Sequence, residues 1–174
     1  MSDGPSLLLG EWACLGMLAV EPQHGFALAA RCGPSGDIGR VWSMSRPLTY
    51  RALDKLVQRE FAQQVAVEPG RAGGPRSVMA PTAAGRRALD RWLASPVAHL
   101  RDLRSELLVK LLLLEALGLP TMGLLSAQRQ LVADAASALE RSAGADGADA
   151  VAIWRAESAA GALRVIDRLL AASA

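Results

Sequence analysis

The residues best suited to chemistry are cations and a phenol gathered on one helical stretch. From Ser45 to Gln58 the sequence runs SRPLTYRALDKLVQ. At about 100° per residue, Arg46, Tyr50, Arg51, Asp54, Lys55 and Gln58 share one arc, while Leu48, Thr49, Ala52, Leu53, Leu56 and Val57 share the other. One face packs and the other is free to read a partner. Pro47 suits the first turn, where its missing donor costs nothing, and either Ser45 or Arg46 serves as the N-cap. An arginine can hold guanine through two parallel hydrogen bonds, which makes Arg46 and Arg51 the candidates for base reading. Ser45 and Tyr50 add donors in the first turns, and Lys55 suits a phosphate. The plainer alternatives are an ordinary amphipathic surface helix and an Arg51–Asp54 ion pair along it. Thr49 lies on the packing arc and is not a candidate.

A second set of cations lies just beyond. Two β-compatible runs, Phe61 to Glu68 and Arg76 to Pro81, flank the loop PGRAGGP. Strand, glycine-rich tip and strand predict a hairpin, whose Arg71 and Arg76 can reach a phosphate backbone or minor groove; the alternative is a flexible turn. The tip lacks the Gly-Lys-Ser/Thr of a nucleotide-phosphate loop, and no helix starts there.

Other chemistry finds little support. The two histidines, His24 and His99, fall on different elements with no metal-ligand spacing and no acidic partner at a helical offset. Cys14 and Cys32 have no metal or redox spacing and read as reduced, structural residues. Gly33, Gly36 and Gly39 are too loosely placed for a dinucleotide fingerprint. No enzyme activity, metal or cofactor is expected.

The elements that position these residues follow from periodicity. A helix over 6–19 aligns Leu8, Trp12, Leu15 and Ala19 on one face, and Glu21-Pro22 breaks it. A short helix from His24 to Arg31 ends at Gly33-Pro34. Ile38, Val41 and Trp42 fold the connector back onto the core, with room for a short strand. After the hairpin, Thr82 caps a helix to Leu93. The chain is therefore expected to be mainly α with a small β-hairpin wing: a winged helix-turn-helix over 1–95, followed by a helical domain over 96–174.

In that second domain, helices are expected over 98–118, 121–143 and 150–172. The first is apolar almost all round, so Leu107, Leu108, Leu111, Leu112 and Leu114 are the candidate dimer seam, the alternative being a self-contained three-helix core. Leu124, Leu125, Leu131, Val132 and Leu139 point inward on the second helix; Val151, Trp154, Leu163, Ile166 and Leu170 do so on the third.

The chain has 174 residues, 51% hydrophobic and only 4% aromatic, a composition that favours helices with aliphatic interiors. Net charge is only +2, but residues 38–94 carry ten Lys/Arg against four Asp/Glu, and residues 95–174 carry eight against nine. A basic first half fits a polyanionic partner. No basic leader precedes the Leu7-Leu8-Leu9 run, and no apolar stretch approaches the ~20 residues of a membrane span. A cytoplasmic protein is expected.

The order of parts resembles the PadR family of bacterial transcription regulators over nearly the whole length. The likeness is carried by His24-Gly25-Phe26, by Ser45 with Tyr50-Arg51-Ala52-Leu53-Asp54-Lys55-Leu56, and by Gly73-Gly74-Pro75-Arg76. Thr82-Ala83-Ala84-Gly85-Arg86 and Arg104-Ser105-Glu106-Leu107-Leu108-Val109-Lys110-Leu111 extend it. Glu60 stands where the family usually has glycine, Met79 where an aromatic is common, and Thr49 where leucine is usual. The resemblance implies a sequence-specific, homodimeric repressor of a palindromic DNA operator, with the long carboxy-terminal half of the family's larger subgroup as its dimerisation domain. It also implies a small aromatic or amphipathic effector near the carboxy-terminal helices, for which Trp12 and Trp154 are the aromatic candidates, unless they are ordinary core residues. A helical dimerisation scaffold without specific DNA readout is the competing reading.

Overall fold

The computed structural model describes residues 7–70, 74–143 and 149–172. Its elements run α1 (Leu9–Val20), β1 (Gln23–His24), α2 (Gly25–Cys32), α3 (Arg46–Gln58), β2 (Ala62–Glu68), β3 (Arg76–Pro81), α4 (Ala83–Ala94), α5 (Leu108–Ala116), α6 (Met122–Ala143) and α7 (Ala150–Ala172). A 3₁₀ turn (Leu100–Asp102) and a π-helical segment (Leu103–Leu107) precede α5. The chain is mainly helical, with one three-stranded antiparallel sheet in the order β1-β3-β2. β1, which pairs Gln23 with Met79 and His24 with Val78, was not expected. Two residues long, it has no alternating pattern to detect.

Two compact units form, residues up to 93 with 108–119, and residues 94–107 with 120 onward. The leucine-rich stretch expected as one helix over 98–118 therefore changes both geometry and unit near Leu107. In the first unit α1 is buried all round from Gly10 to Leu18, not on one face. It packs against α2, α3, α5 and β3, and Leu113 of α5 presses on Gly16, where any side chain would collide. Leu8, expected on the inward face, precedes the helix and is exposed. The connector holds turns and no strand; Ile38 is buried, but Trp42 is exposed.

Helix ends explain how α3 hands over to the wing. The Glu60 N–H donates to the Val57 carbonyl and the Phe61 N–H to the Leu56 carbonyl, a Schellman closure with Glu60 at φ 57°. This is the position where the family resemblance expects glycine, and the backbone takes the glycine-favoured conformation regardless. Gly118, at φ 65°, closes α5 in the same way. The Thr82 hydroxyl caps α4 as expected, accepting from the Gly85 N–H at 3.0 Å.

In the second unit α6 and α7 pair along their length. Leu124, Leu125 and Val132 are buried as expected, and Leu131 and Leu139 are half-buried. On α7 the buried positions are Ala159 and Ile166, whereas Val151 and Trp154 are exposed, against expectation. Alanines on both helices permit close approach without those larger side chains. Gln128, fully buried on α6, accepts from the Val97 N–H at 2.6 Å and donates to the Val97 carbonyl at 3.0 Å. It satisfies a buried backbone group on both sides, the role a neighbouring strand would play.

Candidate nucleic-acid interface

Ser45 is the N-cap of α3, in extended conformation, but its hydroxyl makes no capping bond. Its carbonyl is held by the Thr49 N–H at 3.0 Å and the Thr49 hydroxyl at 3.2 Å. Thr49, fully buried, thus spends its polar group on the preceding turn, which explains how a threonine sits on a packing face. Ala52, Leu53 and Leu56 complete that face. Leu48 and Val57, expected to pack, are exposed because they sit at the two edges of the apolar arc.

The outer face of α3 carries Arg46, Tyr50, Arg51 and Lys55, all exposed. The Lys55 ammonium donates to the Gln58 side chain at 3.3 Å. Arg51 forms no ion pair with Asp54. Tyr50 lies against the start of α2: a Cβ on Gly25 would meet its ring at 2.7 Å. That glycine lets α3 and the amino end of α2 approach within a ring's thickness.

Phe26 organises the cations. Its exposed ring has the Arg46 guanidinium at 4.8 Å and the Arg76 guanidinium at 5.5 Å. One arginine comes from the first turn of α3 and the other from the tip end of the wing, where Arg76 opens β3 opposite Glu68, so a single aromatic gathers both. Beside them a groove of about 500 Å³ is lined by His24, Phe26, Tyr50, Asp54, Arg76 and Ser77, among others. His24 caps α2, its Nδ1 accepting from the Ala27 N–H at 3.0 Å, and its Nε2 lies 3.4 Å from Arg76.

Of the sequence candidates, Arg46, Tyr50 and Arg76 therefore meet on one surface, with Arg51 and Lys55 further along the same helix and Ser45 at its N-cap. Arg71 lies outside the described residues. Phe26 and His24 were missed as site residues. Their only sequence signal was the His24-Gly25-Phe26 motif, which says nothing of the distant Arg76.

Trp12 stacks on Trp92 at 5.0 Å, nearly parallel, with the buried Lys110 ammonium 4.8 Å from the Trp92 ring. It is a core residue of the first unit. Trp154, by contrast, is 74% exposed and borders a cleft of about 810 Å³ in the second unit, with Leu139, Arg101, Arg104 and Arg155. Among the seam candidates Leu107 and Leu114 are buried, Leu111 and Leu112 half-buried, and Leu108 exposed. No group of three or more His, Cys, Asp or Glu placed to hold a metal occurs among the described residues. No helix among them is long and apolar enough to cross a membrane.

Two electrostatic details fix the scaffold behind this surface. A hydrogen bond with Cys32, together with burial, holds the Cys14 thiol well above its ordinary range, so it stays protonated. Arg31, at the end of α2, donates to Asp37 at 2.7 Å and keeps that carboxyl below the usual carboxylate range.

Neither a protein-family model nor a characterised protein sequence matches the chain. Among solved structures it is similar to Bacillus subtilis PadR in complex with operator DNA, at 18% identity and a TM-score of 0.45, over 94% of this chain and 98% of that one.

Proposed function

We propose that the chain is a sequence-specific DNA-binding transcription regulator of the PadR type, a homodimeric, ligand-responsive repressor of a palindromic operator. The observation that carries this reading is the meeting of Arg46 and Arg76 at the exposed Phe26 ring. It joins the first turn of a reading helix to the tip end of a wing on one cationic surface. A helix reads the major groove mainly through its first turns, so Arg46 and Arg51 take base edges. Arg76, Lys55, Ser45 and Tyr50 take the backbone, and Arg71 at the wing tip takes phosphate or the minor groove. Two heads tethered about 34 Å apart would meet successive turns of one face of the duplex.

Dimerisation is supported by exposed apolar residues on α7, where Val151, Trp154 and Val165 fall near one face, and by exposed Leu108. The cleft beside Trp154, with its three arginines, suits an aromatic or amphipathic effector. The deciding experiment is a gel shift across salt with duplexes from the chain's own promoter region. Arg51→Ala should cost about 1–3 kcal/mol and relax specificity at one base position, whereas Arg76→Ala should weaken all sequences alike and flatten the salt slope. Parent-like binding by both variants would remove these arginines from the interface. No duplex binding by the parent would favour the scaffold reading.

A further inference from the structure

A neutral imidazole has one protonated and one accepting nitrogen. In His24 the accepting nitrogen is Nδ1, which receives the Ala27 N–H at 3.0 Å, so the ring proton sits on Nε2. The nearest Arg76 nitrogen, 3.4 Å from Nε2, also carries only protons. Two donors thus face each other, and their contact is no hydrogen bond. Among the described residues neither has a protein acceptor, and Asp54 of the same groove is bonded to neither. The Phe26 ring restrains Arg76 beside the imidazole, and the two donors open onto the groove between α3 and the wing.

Two donors 3.4 Å apart that line one groove can bind the same anionic group. We infer that His24 is a DNA-phosphate contact: its Nε2–H and the Arg76 guanidinium close on the oxygens of one backbone phosphate. The inference rests on the DNA-binding reading and adds a residue to it. A phosphate fits better than a base edge because the pair stands at the start of α2 and the tip end of the wing, off the reading helix.

Because such a contact is independent of sequence, a short mixed-sequence duplex is a sufficient probe. His24→Ser keeps a side-chain acceptor for the Ala27 N–H and removes the ring donor; His24→Asn serves as a second cap-preserving variant. The expected result is about a tenfold loss of affinity at every salt concentration with an unchanged melting temperature, since a hydrogen bond to a charged group is lost. A neutral donor releases no counterion, so the salt slope stays as in the parent, whereas Arg76→Ala flattens it by about 0.9 per head. In the Arg76→Ala background, His24→Ser should cost little more. Parent-like affinity of both His24 variants beside a weakened Arg76→Ala overturns the inference and leaves the DNA reading standing. A loss that tracks a lowered melting temperature, or persists in full without Arg76, overturns it in favour of a purely capping role. A parent that binds no duplex removes the DNA reading and this inference together.

Discussion

The Thr82 hydroxyl donates to the Glu60 carbonyl at 2.6 Å while accepting from the Gly85 N–H at 3.0 Å. One side chain thus ties the residue that ends α3 to the first turn of α4, where the two ends of the wing meet. Gly85 permits this, since any Cβ there would collide with the Phe61 carbonyl. The wing is therefore anchored at its base, and α3 is held in register with it.

Thr82→Val keeps the shape and removes both bonds. It should lower stability by about 1–2 kcal/mol, the worth of a helix cap and its second partner, measured by urea denaturation. Glu60→Gly should act oppositely, raising stability by up to about 1 kcal/mol, because it relieves a side chain held at positive φ. A Glu60→Gly variant less stable than the parent would show that the turn is not strained.

Phe26→Leu retains an apolar side chain but removes the π face shared by Arg46 and Arg76. Each exposed cation–π contact is worth about 0.5–1 kcal/mol, and duplex affinity should fall by a comparable amount with the salt slope unchanged, since both charges remain. The ring is 47% exposed, so melting temperature should hardly move. A changed slope with unchanged affinity would contradict this role.

The seam is testable by placing charge on two different elements. Trp154→Glu alters a side chain that is 74% exposed, so the folded monomer should tolerate it, while a leucine-type contact between copies would not. Leu111→Asp charges a half-buried residue of α5. Sedimentation should show a folded monomer for Trp154→Glu, with weak, salt-sensitive DNA binding and no palindrome preference. A dimeric Trp154→Glu beside a monomeric, folded Leu111→Asp would move the seam to α5.

Asp37 makes an acid-side prediction. Its carboxyl is held low chiefly by the hydrogen bond from Arg31, so its contribution to stability is present above the unfolded value of about 3.9 and is lost as pH falls through the folded value. Side-chain carboxyl titration by NMR should place Asp37 below the usual carboxylate range in the parent and return it to that range in Arg31→Ala. An identical midpoint in both would refute the pairing in solution.

Local chemistry made much of this protein legible from its residues alone. Pro47 and the Ser45 position, the two β-compatible runs around a glycine-rich tip, the Thr82 cap and the two-faced pattern of α3 are decided within a turn or two, where covalent geometry and hydrogen-bond satisfaction act directly. The sequence also marked the cations on α3 and the wing as exposed. What it could not determine was who stands next to whom. Phe26 receives Arg46 from 20 positions away and Arg76 from 50, and His24 meets Arg76 over a separation of 52 residues. Those pairings arise only when Gly25 admits the Tyr50 ring and β1 pairs with β3. Likewise the leucines from 107 to 114 all read as buried by composition. Only packing decided that Leu113 fills the space over Gly16 while Leu108 stays open, because burial depends on which neighbour arrives and not on the apolar character of the residue itself.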